Sequence, residues 1–182
     1  MKITGGQYRG IPLQVVSDAV RPTTDRVRES LFSTLFDFVP EARVLDLFAG
    51  AGTLGLEALS RGAASAQFVE QNDRVASALQ QKIDSLKPKP TARVAKEDAL
   101  RWLKRVEEDS VDLVFADPPY EWKQRPWLDQ VCEILLTRNG LSEDGLLVFE
   151  RASRDRTEIP VGWELLRERE FGDSCVLFLS PA

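Results

Sequence analysis

Apolar and polar positions along the chain change rhythm near residue 43. Residues 2–16 alternate weakly around Gly5-Gly6 and Gly10-Ile11-Pro12, which predicts a short β-hairpin or extended arm. In RPTTDRVRESLFSTLFDFV, Val27, Leu31, Leu35 and Phe38 recur at helical spacing. A helix is expected there, with Thr23 or Thr24 as its cap and Pro40 as its stop. Beyond residue 43, short apolar runs alternate with amphipathic stretches. RVLDLFA, AQFVE, ARVAKED and VDLVFADPP read as strands, with helices in TLGLEALSRG, DRVASALQQKIDSL and around Leu100–Val106 between them. Lys87-Pro88-Lys89-Pro90 reads as a loop. A helix near Trp127–Leu136 leads to the strand GLLVFER, and the chain closes with WELLREREF and SCVLFLS around Gly172-Asp173, a hairpin turn.

Strands that alternate with helices imply a parallel sheet covered on both faces. The fold class expected is α/β: a Rossmann-like, doubly wound, mostly parallel sheet. A C-terminal antiparallel hairpin and an N-terminal hairpin and helix extension complete it. Residues 1–40 would form the N-terminal arm and helix, and 41–182 the core. Ligands of such sheets bind at the carboxyl ends of the strands, so the residues just after each strand are the ones to inspect.

Composition narrows the chemistry. At 182 residues the chain is the size of one domain that buries roughly 70% of its unfolded surface. No apolar run approaches the ~20 residues of a membrane span, and MKITGGQYRG lacks the apolar core of a secretory signal, so a cytoplasmic location is expected. There is no histidine, and Cys132 and Cys175 lack metal-ligand spacing. These facts argue against a zinc site and exclude Ser-His or Cys-His nucleophilic chemistry; no metal is expected. The net charge of −5 is unusual for a protein that meets nucleic acid. The charge is uneven, however: residues 1–30 hold five basic against three acidic side chains, a net of +2.

The first strand runs into Asp46-Leu47-Phe48-Ala49-Gly50-Ala51-Gly52-Thr53-Leu54-Gly55. Gly50 and Gly52 let the backbone turn tightly against a ligand, and the following helix offers unpaired amides. Glu70 ends the second strand, where a carboxylate suits a pair of ribose hydroxyls. Asp98 follows the third, placed to accept from an adenine amino group with the Ala99 amide as donor. Gly50, Gly52 and Gly55 with Glu70 downstream also match a dinucleotide fingerprint. Three features favour S-adenosylmethionine over NAD. Asp46 would repel a pyrophosphate but hold a methionine ammonium. Asp98 adds a second acidic position. The fourth strand carries a site that NAD chemistry leaves unused.

That site is Asp117-Pro118-Pro119-Tyr120. Pro119 keeps Pro118 out of helical geometry and the loop extended. The Asp117 carboxylate and the Pro118 carbonyl are then two fixed acceptors for the two hydrogens of an exocyclic NH2. Such a pair aims the nitrogen lone pair at a methyl sulfonium, while Tyr120 stacks on a base drawn from its helix. The chemistry calls for methyl transfer to an amine without naming the base.

These motifs resemble the amino-methyltransferases, with DLFAG (Asp46 to Gly50, Phe48 within it) as cofactor motif and DPPY as catalytic motif. GGQYRG, RPTTDRVRESLF, VLDLFAGAGTLGLEALSRGA and FADPPY, in that order, resemble the bacterial 16S rRNA (guanine(966)-N(2))-methyltransferase family from Ile3 to about Glu150. The resemblance implies a class I methyltransferase fold and transfer of a methyl group from S-adenosyl-L-methionine to a guanine N2. The substrate would be 16S rRNA in an assembled or assembling small subunit. It places Phe48 with the cofactor residues, Thr23 and Arg26 near the cofactor's carboxylate, and Arg9, Arg21 and Arg28 on RNA phosphates. One departure is Asp84, where the family often has asparagine. A DNA adenine-N6 methyltransferase would use the same two sites, but little chain is left for a target-recognition domain. A non-catalytic ribosome-assembly factor is the other alternative, and the intact DPPY argues against it.

Overall fold

In the computed structural model, residues 1–13, 25–87, 91–119, 126–155 and 157–182 are described. The expectations for Arg21, Thr23 and Tyr120, and the helix cap at Thr23 or Thr24, lie outside these residues.

The elements are α1 (Asp25–Thr34), β1 (Arg43–Leu47), α2 (Thr53–Ser60), β2 (Ser65–Glu70), α3 (Asp73–Leu86), β3 (Thr91–Lys96), α4 (Ala99–Leu103), β4 (Val111–Ala116), α5 (Trp127–Arg138), β5 (Leu141–Ala152), β6 (Trp163–Phe171) and β7 (Ser174–Pro181). The sheet order is β3-β2-β1-β4-β5-β7-β6. The first five of these strands pair in parallel, and β7 lies antiparallel between β5 and β6. The turn at Gly172-Asp173 therefore sends the chain back into the sheet, and β6 becomes its edge.

Alternation along each strand sorts side chains to two cores, as the pleat requires. Val44, Phe68, Leu113, Phe115, Leu146 and Val148 face a core that takes in Leu31 and Phe32 of α1, Leu54 and Leu59 of α2, and Leu79 and Ile83 of α3. Leu45, Leu47, Val69, Val114, Ala116 and Phe149 face the other, with Leu103 of α4 and Val131 and Leu135 of α5. Three helices cover one face and two the other. Asn72 caps α3 by accepting from the amides of Arg74 and Val75, which fixes where the chain leaves β2.

The N-terminal arm folds back as expected, with hydrogen bonds from Ile3 N to Ile11 O, Gly10 N to Ile3 O and Leu13 N to Met1 O. It also belongs to the first core through Ile3 and Leu13. Helix α1 departs from expectation in two ways. It ends at Thr34 and gives way to turns, so Pro40 is not its stop. Its buried residues are Arg28, Leu31 and Phe32, with Leu35 buried in the turn that follows, while Val27 and Phe38 are only half-buried. Leu31 and Leu35 keep their expected burial, and Arg28 and Phe32 join them, Phe32 packing against Phe115 of β4 with ring centroids 5.7 Å apart. Among the described residues, no helix is long and apolar enough to cross a membrane.

Candidate functional site

The glycine turn after β1 is locked from both sides. Gly52 adopts a left-handed conformation (φ 72°), and a Cβ there would lie 2.4 Å from Leu79 Cδ1. Gly55, one turn into the region, faces Phe68 so closely that a Cβ would lie 2.3 Å from its ring. A side chain at either position would have to displace Leu79 or the Phe68 ring, and at Gly52 it would also strain the left-handed backbone. The Asp46 carboxylate, only 3% exposed, accepts from Gly55 N at 2.9 Å through Oδ2, so it holds the first turn of α2 as well as facing the loop. Burial, with the Glu70 charge adding to it, outweighs the Gly55 amide and pushes its carboxyl up to about 8.

Glu70 ties the turn to β2: Oε2 accepts from Gly50 N at 2.9 Å and Oε1 from Asn72 N at 2.7 Å. Each oxygen keeps a further lone pair for a ribose hydroxyl. Asp98 caps α4 by accepting from Arg101 N at 2.9 Å through Oδ1, which leaves Oδ2 for an amino group and Ala99 N as the first amide of the helix. Phe48 turns to the opposite side of β1 from Asp46. Its ring meets Trp127 of α5 edge-on, centroids 4.9 Å apart, in the same apolar cluster as Ala99. Asp46, Gly50, Gly52, Glu70, Asp98 and Ala99 thus stand at the carboxyl ends of three adjacent strands, β1, β2 and β3.

Asp117, half-buried, follows directly from β4, and Pro118 beside it is buried while Pro119 is exposed. Burial, then the charges of Glu150 and Asp46, raise the Asp117 carboxyl well above the usual carboxylate range. β4 is the neighbour of β1, with Asp46 opposite Phe115 and Leu47 opposite Ala116. The Asp-Pro-Pro segment therefore emerges beside the glycine turn, one strand spacing of about 4.8 Å away.

The arginines divide. Arg9 and Arg26 are exposed, the first on the arm's turn and the second at the start of α1. Arg28 is not available to RNA: it is 0% exposed, donates to Lys2 O and to Asp25 Oδ1, and lies 3.8 Å from Glu57 Oε2. It sits on the buried side of α1 with Leu31 and Phe32, next to Val27, which the apolar spacing had placed there. Sequence reasoning also missed its partner Glu57, fully buried in α2. Glu57 accepts from Thr4 N, Thr4 Oγ1, Gly5 N and Arg61 Nε at 2.6–3.2 Å and so pins the arm to the helix that follows the glycine turn. Nothing in its sequence context separates Glu57 from a solvated helix charge. Glu150 was missed too, although inspection of each strand end would have found it after GLLVF.

The family model described as Conserved hypothetical protein 95 matches residues 1–180. Ribosomal RNA small subunit methyltransferase D of Escherichia coli (strain K12) is 38% identical over 94% of this chain and 85% of its own length. The protein of that name from Haemophilus influenzae is 35% identical over 94% of this chain and 89% of its own. The solved structure of Escherichia coli yhhF superposes with a TM-score of 0.88 at 35% identity, covering 100% of this chain and 97% of that one. The glycine turn, the strand-end carboxylates and the Asp-Pro-Pro segment thus stand in a chain that belongs to the Conserved hypothetical protein 95 family, alongside the ribosomal RNA small subunit methyltransferases D.

Proposed function

We propose that this protein methylates small-subunit ribosomal RNA, transferring the methyl group of S-adenosylmethionine to the exocyclic N2 of a guanine. The observation that carries the reading is the juxtaposition of Asp117-Pro118 with the Asp46–Gly55 turn on the adjacent strand. The relatives' names support ribosomal RNA as substrate and disfavour DNA adenine.

The residues present fit the cofactor: Glu70 has lone pairs for the ribose hydroxyls, the Asp98 carboxylate and Ala99 amide would meet the adenine edge with Phe48 beside them, and Asp46 would hold the methionine ammonium. Thr23 and Arg26 are assigned to its carboxylate. When bound, S-adenosylmethionine supplies an electrophilic methyl group on a sulfonium.

This chain's part is positioning. The Asp117 carboxylate and the Pro118 carbonyl accept the two hydrogens of the guanine amine, drawing the nitrogen from planar geometry and orienting its lone pair. Holding two reactants in such alignment is worth roughly 7–11 kcal/mol of barrier. Asp117 must be ionised to take up a proton, and its raised affinity for one suits it to receive the proton released when the amine is methylated. Tyr120 is assigned to stacking on the base, and Arg9 and Arg21 to phosphates. Residues 1–40 are the RNA-facing part of the molecule, and the cytoplasm, where ribosomes are built, its place of action.

The test is to incubate the protein with methyl-labelled S-adenosylmethionine and hypomethylated small subunits, then map the labelled nucleotide. Label on the N2 of one guanine is the expected result. Label on DNA adenine in preference to the subunit overturns it.

A further inference from the structure

Four consecutive strands carry an acidic side chain on one face near their carboxyl ends: Glu70 on β2, Asp46 on β1, Asp117 after β4 and Glu150 on β5. The pairing Asp46 with Phe68 and with Phe115 sets Glu70 and Asp117 two residues above Asp46. The pairing Phe115 with Val148 and Ala116 with Phe149 brings Glu150 level with Asp117. Alternation from Val148, which faces the first core, sends Glu150 to the same side. Strand order then separates their tasks. Glu70 and Asp46 border the glycine turn, whereas β5 lies on the far side of β4 from it, so Glu150 stands beyond Asp117 where a base held by Asp117-Pro118 would extend.

The Asp-Pro pair alone does not choose between bases, because adenine and guanine both present an exocyclic amine. They differ at the ring nitrogen beside it. Guanine offers N1–H next to its N2 amine, two adjacent donors; adenine offers an unprotonated N1, an acceptor. A second carboxylate next to Asp117 accepts from the first and repels the second. The geometry points to Glu150 as the residue that selects guanine, by accepting a hydrogen bond from N1–H while Asp117 and Pro118 hold the N2 amine. This inference rests on the reading of the site as a guanine-N2 methyltransferase.

The probe is 2-aminopurine, which keeps the 2-amine of guanine but carries an unprotonated N1. Small subunits reconstituted with 2-aminopurine at the target position are compared with those carrying guanine, by kcat/KM for methyl transfer. Loss of a hydrogen bond to a charged group is worth about a 10- to 100-fold preference for guanine in the unaltered protein. Glu150→Gln, whose amide donates as well as accepts, is expected to bring that ratio close to one while keeping cofactor binding, read as the rise in melting temperature on adding S-adenosylmethionine. Should the glutamine variant fold poorly, Glu150→Ala gives the same comparison, its ratio expected to fall likewise. Equal use of the two substrates by the unaltered protein overturns the assignment, and so does a variant that keeps the original ratio. Absence of any methyl transfer to guanine N2 would instead sink the reading beneath it.

Discussion

The two ends of the central strands treat the same residue type in opposite ways. At the amino end, Asp112 of β4 receives Arg43 of β1. Arg43 N and Nε donate to Oδ2 at 2.7 and 2.9 Å and Nη2 to Oδ1 at 2.8 Å, and the carboxyl is held down at about 2. At the carboxyl end, buried Asp46 and half-buried Asp117 lie beside other carboxylates, and their protons are held more tightly than usual. A fork of guanidinium and carboxylate satisfies both partners and stabilises the fold. A buried carboxylate whose charged neighbours are also carboxylates costs stability and is set to receive something positive or proton-rich. One end is built to hold the sheet together, and the other is the end that we propose binds.

The largest expected effect falls at the binding end. Asp117→Ala removes an acceptor that acts on the reacting amine, and kcat should drop on the order of 10³-fold. Affinity for S-adenosylmethionine, measured by calorimetry, should remain within about threefold of the original, since the cradle on β1 and β2 is untouched. Near-normal turnover would erase the distinction between the two ends.

Asp46→Asn sharpens the comparison by separating stability from function. The folded-state carboxyl lies at about 8, above its ordinary 3.8. Its contribution to stability is therefore full below about 4 and is lost as pH rises through about 8. The variant, which still accepts from Gly55, should melt higher than the parent at pH 8 and show little difference at pH 4, while binding the cofactor more weakly. A variant less stable than the parent at pH 8 would show that the Asp46 charge is well compensated in the fold.

The smallest effect falls at the structural end. Asp112→Ala should cost about 1–2 kcal/mol in urea unfolding, discounted because the Arg43 guanidinium is partly exposed. Here the sign reverses: the contribution is present above pH 4 and fades as pH falls towards 2. The kcat of the variant at saturating substrates should be unchanged.

Much of this was legible in the chain. The short apolar runs fall on strands, and α3 and β6 fall where the pattern put them, Asp73–Leu86 and Trp163–Phe171. The strand-end rule pointed to Asp46, Glu70, Asp98 and Asp117, and the structure places each at the carboxyl end of a parallel strand. Arg28 shows where pattern fails. It lies one residue from Val27, which the apolar spacing assigned to the core, and local spacing cannot register that Asp25 and Glu57 hold the cation inside or that Phe32 meets Phe115 of β4.

By itself the sequence determined the alternating architecture, the glycine turn and the acceptor motif, since each depends on neighbours within a few residues. Only the tertiary structure decided which charges meet. Arg43 with Asp112, Arg28 and Thr4 with Glu57, and Glu150 level with Asp117 are brought together across 69, 29, 53 and 33 positions of chain by register and helix rotation. Those long-range placements set the electrostatics that make one end of the sheet a foundation and the other a site.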